Sequence, residues 1–145
     1  MPDALARDFA ADFVVQFESY SPSTIEAGSL WTRTRVAPGV ESQFTALLEN
    51  RKKLVRESGM VSQILLLDPG RTEVTREEGK LEVVLRALRR VYVADKLAQE
   101  ARLSYRVALE VGQPTRDNPT GLLVLGVSAR LEGKEKGGDD AGRRD

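Results

Sequence analysis

Apolar and polar positions in the first third of the chain recur with the period of a helix. Across residues 4–19 a large apolar side chain returns every four positions, and polar side chains such as Asp8 and Asp12 fall between them. A single apolar stripe of this kind predicts an amphipathic helix that packs against a core. The stripe comprises Leu5, Phe9, Phe13, Val14 and Phe17.

A second, shorter helix is predicted after a break in the pattern near residue 20. Two start signals are present. Ser21 is an N-cap residue followed by Pro22, which suits the first helical position. Residues 23–26 (Ser-Thr-Ile-Glu) read alternatively as a capping box. Either start leads to a helix that extends to about Val36, with an inner face formed by Ile25, Leu30 and Trp31.

A third helix is predicted from the turn at residues 37–41 to Ser58 and Gly59. Its last turns hold the basic residues Arg51, Lys52, Lys53 and Arg56. Basic side chains at the end of a helix interact favourably with the helix dipole and keep the surface soluble, which is our interpretation. A docking face for an acidic partner is the alternative. The apolar stripe of this helix comprises Val40, Phe44, Leu47, Leu48, Leu54 and Val55.

After Gly59 the apolar period shortens to two, which is typical of strands. Strands are predicted over residues 60–67, 81–95, 101–111 and 121–131, and a turn at residues 68–70 precedes a charged segment. Arg89 interrupts the inward set of the second strand. This interruption predicts a bulge there, or a point where the strand enters an exposed region.

Three helices followed by about four antiparallel strands predict an α+β domain, with the helices packed on one face of a curved sheet. We expect this single domain to cover residues 1–131. Residues 132–145 are rich in Gly and charge, with one alanine as the only apolar side chain. Such a composition predicts a disordered charged tail.

Composition excludes several classes of function. Among the 145 residues there is no Cys and no His, which removes thiol nucleophiles, disulfides, Ser-His-Asp chemistry and nearly all zinc sites. We therefore expect no metal and no cofactor. Lys plus Arg and Asp plus Glu both number 22. Because the net charge is zero, no overall field draws the chain to nucleic acid or to an anionic membrane.

An enzyme on this fold would rest on carboxylates and tyrosines. Asp68, Asp95 and Asp117 lie at predicted turns, where Asp is common for structural reasons. The two aspartates of the first helix lie on its polar side, so the sequence indicates no catalytic residue. A small-molecule-binding protein or a carboxylate-based enzyme stays the alternative function. Its candidate residues are Asp8, Asp12, Asp68, Asp95 and Asp117, with Tyr92 and Tyr105 as donors.

Arginines on the two central strands offer a basic sheet face, which would suit a DNA-binding accessory domain. Glu82, Glu100 and Glu110 are interspersed among them. We therefore interpret the set as a solvated face with cross-strand ion pairs, and we expect no direct nucleic-acid partner. The set comprises Arg86, Arg89, Arg90, Arg102 and Arg106.

The segment "RDNPTGLLVLGV" at residues 116–127 places Asn118, Pro119, Thr120 and Gly121 directly before the last predicted strand. Taken alone, Asn-Pro-Thr-Gly predicts a turn. In its position after three helices and three strands, the motif resembles the Asn-Pro-x-Gly motif of TraE/VirB8-type components of conjugative type IV secretion systems. The resemblance covers about residues 4–131. It departs at Leu122, where that family often has an aromatic residue.

The resemblance implies a nuclear-transport-factor-two-like cone and an assembly subunit rather than an enzyme. It also implies a periplasmic domain of a bacterial inner-membrane protein, self-association, and contacts with other secretion-complex subunits. Membrane attachment would come only through an anchor helix that this sequence lacks. By this resemblance the partner-binding loop is Asn118, Pro119, Thr120 and Gly121. Phe9 and Phe13 are expected as self-association contacts.

Overall fold

The computed structural model describes residues 1–132, which fold as three helices followed by an antiparallel sheet. This order confirms the predicted α+β class and the cone-like arrangement. The helices are α1 (Asp3–Glu18), α2 (Ile25–Arg33) and α3 (Glu41–Ser58). The strands are β1 (Val61–Leu67), β2 (Glu73–Glu77), β3 (Lys80–Val93), β4 (Lys96–Val111) and β5 (Leu122–Leu131).

The sheet is built around the long strand β3. Its neighbours run in the order β1-β3-β4-β5, and every pairing is antiparallel. β1 pairs with the second half of β3, and β2 pairs with the first half. The sequence pattern missed β2, because this short edge strand is mostly exposed and so carries no alternation of apolar and polar residues.

The core lies between one face of the sheet and the helices. The alternation predicted for β3 and β4 is confirmed, since their inward side chains are almost fully buried over residues 81–87 and 105–109. Phe13 is the centre of an aromatic cluster, with ring centroids 5.5 Å from Phe17, 6.0 Å from Trp31 and 6.3 Å from Phe44. The core therefore joins α1 to both other helices and to the sheet.

Helical periodicity predicted too many inward residues in α2 and α3. Leu30 is 64% exposed, Leu47 43% and Leu54 52%. In α2, the small polar side chains of Ser29 and Thr32 are buried instead, alongside Ile25. A leucine in a helical stripe can therefore be buried or exposed, and the way the neighbouring helices cross decides which side of the helix faces the core.

The start and the end of α2 both differ from the expectation. Neither predicted side-chain cap forms, and the first turn is held by the Ser21 carbonyl, which accepts the Ile25 N–H at 3.0 Å. The helix ends at Arg33 rather than near Val36. Val36 instead forms a parallel bridge with Val124 of β5, and a residue cannot serve both a helix and a sheet edge.

The bulge expected at Arg89 is wrong, and so is the alternative of an exposed region. Arg89 keeps a regular register, and the irregularity lies between Val91 and Tyr92. The Arg89 side chain stays on the inward face because its Nε donates to Ser62 Oγ at 3.0 Å and its Nη2 to Tyr20 OH at 2.8 Å. Polar partners inside the fold make a half-buried arginine compatible with the strand.

The predicted tail lies outside the described residues apart from Glu132, which belongs to the fold. Its carboxylate accepts two hydrogen bonds from the Arg86 guanidinium, at 2.7 and 2.8 Å, and its N–H donates to the Arg102 carbonyl at 2.9 Å. Within residues 1–132 no helix has the length and apolar content that crossing a membrane requires.

Candidate functional site

The Asn118 side chain closes the loop ahead of β5. It is 3% exposed, its Nδ2 donates to the Leu122 carbonyl at 2.7 Å, and its Oδ1 accepts from Thr120 Oγ1 at 3.2 Å. Its backbone N–H donates to Thr115 Oγ1 at 3.0 Å. Asn118 therefore holds the two ends of the motif together, and its own surface is hidden.

Gly121 completes this closure because no other residue fits its position. Its φ is +73°, and a Cβ there would lie 2.9 Å from the Pro114 nitrogen and 3.0 Å from the Gly112 carbonyl oxygen. The Gly121 carbonyl accepts the Gly112 N–H at 2.8 Å. A left-handed backbone and two close backbone neighbours both favour glycine. Gly121, like Asn118, thus fixes the shape of the loop.

Pro119 and Thr120 are the members of the motif that reach the surface. Together with Asn118 they line one side of a cleft of about 410 Å³. Trp31 and Arg35 lie on the α2 side. The wall from α1 consists of Leu5, Asp8, Phe9, Asp12 and Gln16. We call this site the motif cleft.

The charges of the motif cleft are unevenly compensated. The Arg35 guanidinium lies 4.0 Å from the centre of the Trp31 ring, and its Nη1 donates to Thr34 Oγ1 at 2.6 Å. Burial lowers the pKa of Arg35, and the carboxylates of Asp117 and Asp12 act in the opposite direction. Within the part of the chain that the structure describes, neither Asp8 nor Asp12 forms an ion pair.

The two phenylalanines expected in self-association lie toward the core. Phe13 is 0% exposed and Phe9 is 8% exposed, although Phe9 also lines the motif cleft. A contact through Phe13 would require the core to open. Self-association through this helix stays a prediction, and the accessible side chain beside Phe9 is Leu5, which is 37% exposed.

A second polar group of residues lies at the C-terminal end of α1. The sequence indicated Tyr105 as a possible donor and Arg89 as part of a basic face, but not their grouping with Glu18. Glu18 Oε1 accepts from Arg51 Nη2 at 3.0 Å, and Oε2 accepts from Tyr105 OH at 2.6 Å. Ser62 Oγ donates to the Glu18 carbonyl at 2.7 Å and accepts from Arg89. We call the group of Glu18, Arg51, Ser62, Arg89 and Tyr105 the buried polar cluster.

The buried polar cluster leaves no free base. Both Glu18 carboxylate oxygens are occupied, and the Arg51 guanidinium also donates to the Phe17 carbonyl at 2.5 Å. Burial raises the pKa of the Tyr105 phenol, and the nearby Glu18 carboxylate raises it further. Tyr105 therefore acts as a protonated donor. The inward position of Tyr105 on β4 was the one feature of the sequence that could have indicated this cluster, since a buried phenol needs a hydrogen-bond partner.

The remaining candidates for carboxylate chemistry are scattered. Asp68 forms an ion pair with Arg86 at the turn after β1, and Asp95 lies in the β3–β4 turn with a φ of +64°. Asp117 is exposed in the motif loop, and Tyr92 is half-buried on β3. Only Asp8 and Asp12 share a cleft. Among residues 1–132 no group of three or more acidic side chains is placed to hold a metal ion.

The arginines of the sheet form the predicted cross-strand ion pairs. Arg90 bonds with Glu100 at 2.7 Å, and Arg106 bonds with Glu82 at 2.8 Å. In both pairs the two side chains come from the neighbouring strands β3 and β4, and each side chain is about half exposed. The interpretation as a solvated face with ion pairs is therefore confirmed for these two arginines.

The basic end of α3 is largely paired within the chain. Lys52 bonds with Glu49 at 2.9 Å and with Glu26 at 3.2 Å, and Glu26 also pairs with Arg56. The hydrogen bond from Lys52 lowers the pKa of Glu49. Since Arg51 belongs to the buried polar cluster, Lys53 alone remains for the docking face considered as an alternative.

Comparison with known proteins finds similarity in structure. No protein-family model and no curated sequence matches the chain. CagV of Helicobacter pylori, a VirB8 homologue of a type IV secretion system, has a TM-score of 0.70 at 7% identity, over 89% of this chain and 98% of CagV. The periplasmic domain of DotI has a TM-score of 0.73 at 12% identity, over 90% and 96% of the two chains.

VirB8 of Agrobacterium tumefaciens gives the same result, with a TM-score of 0.66 at 14% identity over 91% of this chain and 95% of VirB8. The match spans nearly the whole of each solved domain, and it includes the helices as well as the sheet. The chain therefore has the fold of the VirB8-like domains of type IV secretion systems, as the Asn-Pro-Thr-Gly motif and the order of elements predicted.

Proposed function

We propose that the chain is an assembly subunit of a bacterial type IV secretion apparatus of the conjugative kind, acting through protein–protein contacts. The observation that carries this proposal is the match over about nine-tenths of the chain to domains of VirB8 and CagV, at TM-scores of 0.66 and 0.70. The proposed place of the domain is the periplasm, and attachment to the inner membrane would come from an anchor outside these residues.

The contact surface we propose is the motif loop together with the motif cleft. The four motif residues divide into two roles. Asn118 and Gly121 hold the loop in one shape, through a buried amide and a left-handed glycine. Pro119 and Thr120 present that shape to a partner. A loop that is already rigid loses little conformational entropy on binding, so more of the contact energy appears as affinity.

The mode of action we propose is binding rather than catalysis. The inward carboxylate and tyrosine that an enzyme on this fold would need are Glu18 and Tyr105. They bond to each other, and the second oxygen of Glu18 accepts from Arg51. This arrangement supports a structural role. Self-association is part of the proposal, with Leu5 on α1 as the accessible residue beside Phe9.

Two prolines of one loop allow a matched test. Pro119 lines the motif cleft, and Pro114 is exposed in the same loop but outside the lining. Pro119→Arg places a long charged side chain at the mouth of the cleft, whereas Pro114→Arg changes charge equally elsewhere. Each variant would be tagged and purified from cells that carry the secretion system, and co-purified secretion subunits would be measured by quantitative mass spectrometry.

We expect Pro119→Arg to lose most of the co-purified secretion subunits and Pro114→Arg to retain them, with both variants melting near the temperature of the parent chain. Pro119→Ala, which keeps the backbone close to its original shape, should give an intermediate loss. Equal recovery of the secretion subunits with all three variants would contradict the proposal.

A further inference from the structure

The α1 wall of the motif cleft holds two carboxylates on one face of a helix. Asp8 and Asp12 are four residues apart, which sets them about 6 Å apart along the helix axis. Like charges at this spacing destabilise a helix by a few tenths of a kcal/mol. No residue among 1–132 forms an ion pair with either carboxylate, although the Arg35 guanidinium attracts the Asp12 carboxylate from a longer distance.

The cleft beside these carboxylates has a mixed lining that includes four apolar side chains. Leu5 and Phe9 lie on the same helix, Trp31 lies across the cleft, and Pro119 closes the loop side. Arg35 is the single cation of the lining, and it stacks on Trp31 and bonds to the α2 backbone and Thr34 rather than to Asp8 or Asp12. The lining thus combines an apolar floor with an acidic rim of net charge −1, from two aspartates and one arginine.

We infer that the motif cleft binds a basic segment of a partner protein, in which an apolar side chain lies between two Lys or Arg side chains about one helical turn apart. This inference rests on the proposed function and names the chemistry of the partner at that site. Opposite charges would meet at the α1 rim, and the apolar side chain would lie on Phe9, Trp31 and Pro119. Charge complementarity is what selects a basic occupant over an acidic one.

Trp31 makes the inference directly measurable. It is the only tryptophan among the 145 residues, and it lines the cleft, so the intrinsic fluorescence of the chain reports on this site. The probe is the peptide acetyl-Ala-Lys-Leu-Ala-Ala-Lys-Leu-Ala-amide, and its control has Glu at both Lys positions. We expect a saturable change with the basic peptide at millimolar affinity, about −4 kcal/mol, and none with the acidic one.

Two double variants test which carboxylates matter. Asp8→Asn with Asp12→Asn removes the rim charges, and Glu73→Gln with Glu77→Gln removes two exposed charges that are also four residues apart in sequence, on β2. We expect the first pair to weaken the basic peptide roughly tenfold and the second to leave it unchanged. Raising the salt from about 20 mM to about 500 mM should also weaken binding, because the rim is exposed to screening.

Four outcomes would overturn the inference. The first is Trp31 fluorescence that does not change up to about 5 mM peptide, and the second is an equal change with the basic and acidic peptides. The third is unchanged peptide binding in the Asp8→Asn/Asp12→Asn variant. The fourth is an equal fluorescence change with 1,4-diaminobutane, which lacks the apolar group. The co-purification assay separates the two proposals. If Pro119→Arg loses the secretion subunits while Asp8→Asn/Asp12→Asn keeps them, the basic-segment inference fails alone; if both variants keep them, the proposed function fails as well.

Discussion

Two parts of α1 hold carboxylates in opposite circumstances. At the C-terminal end, Glu18 is 8% exposed and both of its carboxylate oxygens accept hydrogen bonds from Arg51 and Tyr105. Nearer the middle of the helix, Asp8 and Asp12 line an open cleft and have no ion-pair partner among residues 1–132. The same helix therefore carries carboxylates that serve the fold and carboxylates that the fold does not use.

This difference distinguishes charges that stabilise the fold from charges that form no ion pair in it. A buried charge survives only with partners, so losing one partner is costly. An exposed charge needs no partner for stability, and removing it costs little. Residues that the fold can lose without penalty are therefore the better candidates for binding, and the predictions below test that separation.

The largest effect is expected for Glu18→Gln. The substitution leaves the Arg51 guanidinium buried without its carboxylate and should lower the free energy of unfolding by about 3 kcal/mol. Urea denaturation followed by circular dichroism measures this loss. Glu26→Gln is the control, because Glu26 is more than half exposed in its pairs with Lys52 and Arg56, and it should cost less than about 1 kcal/mol. Equal losses would remove the distinction between the two kinds of pair.

Gly121→Ala is expected to rank next. A left-handed alanine costs about 1–2 kcal/mol, and its Cβ meets the Pro114 nitrogen at 2.9 Å, so we expect a total near 2–3 kcal/mol. Gly126→Ala in β5 is the control, since nothing lies within 4 Å of its Cβ. Thermal denaturation compares the two variants, and a melting temperature of Gly121→Ala equal to that of Gly126→Ala would show that the loop tolerates side chains.

Tyr105→Phe is expected to cost about 1–2 kcal/mol near neutral pH, because Glu18 loses a donor. Burial raises the pKa of Tyr105 above the ordinary value of about 10. Above that pH the unfolded tyrosine ionises while the folded one stays protonated, so this contribution to stability falls as pH rises. The gap between parent and variant should therefore narrow by about 1 kcal/mol near pH 11. A constant gap in urea denaturation at both pH values would contradict this account of Tyr105.

The smallest effect on stability is expected at the cleft. Asp8→Asn should raise the free energy of unfolding by a few tenths of a kcal/mol, because it removes the repulsion with Asp12 and leaves the attraction between Asp12 and Arg35 in place. Adding Asp12→Asn should then bring no second gain, since the repulsion is already gone. Chemical denaturation of both single variants and the double variant gives the interaction free energy between Asp8 and Asp12. A loss above about 1 kcal/mol in any of them would mean that the carboxylates support the fold.

The sequence predicted the fold wherever burial followed a simple period. The alternation in β3 and β4 and the stripe of α1 identified the core because one face of each element is covered. β2 escaped prediction because both of its faces are largely exposed. Leu30 and Leu54 were misplaced because a helix stripe does not say how the neighbouring helices cross.

The sequence predicted the loop of the candidate site but not the walls of its cleft, because only the loop is local in sequence. Asn118 and Gly121 belong to a local motif, and the loop they close lies within a few residues of sequence. The walls of the cleft come from α1 and α2, which are about a hundred residues away in the chain, so only the folded structure joins Asp8 and Trp31 to Pro119. The contact of Glu18 with Tyr105 is equally distant in sequence and was not predicted for that reason.

Photo-crosslinking from the cleft tests the central claim most directly. A benzophenone amino acid would replace Pro119 in one variant and Leu65 in another, in cells that carry the secretion system. Leu65 is 60% exposed on the strand β1 and lies outside the motif cleft. We predict that the Pro119 position crosslinks to a secretion-complex subunit and that the Leu65 position does not. Crosslinks to such a subunit from Leu65 alone would contradict the assignment of the motif cleft as the contact surface.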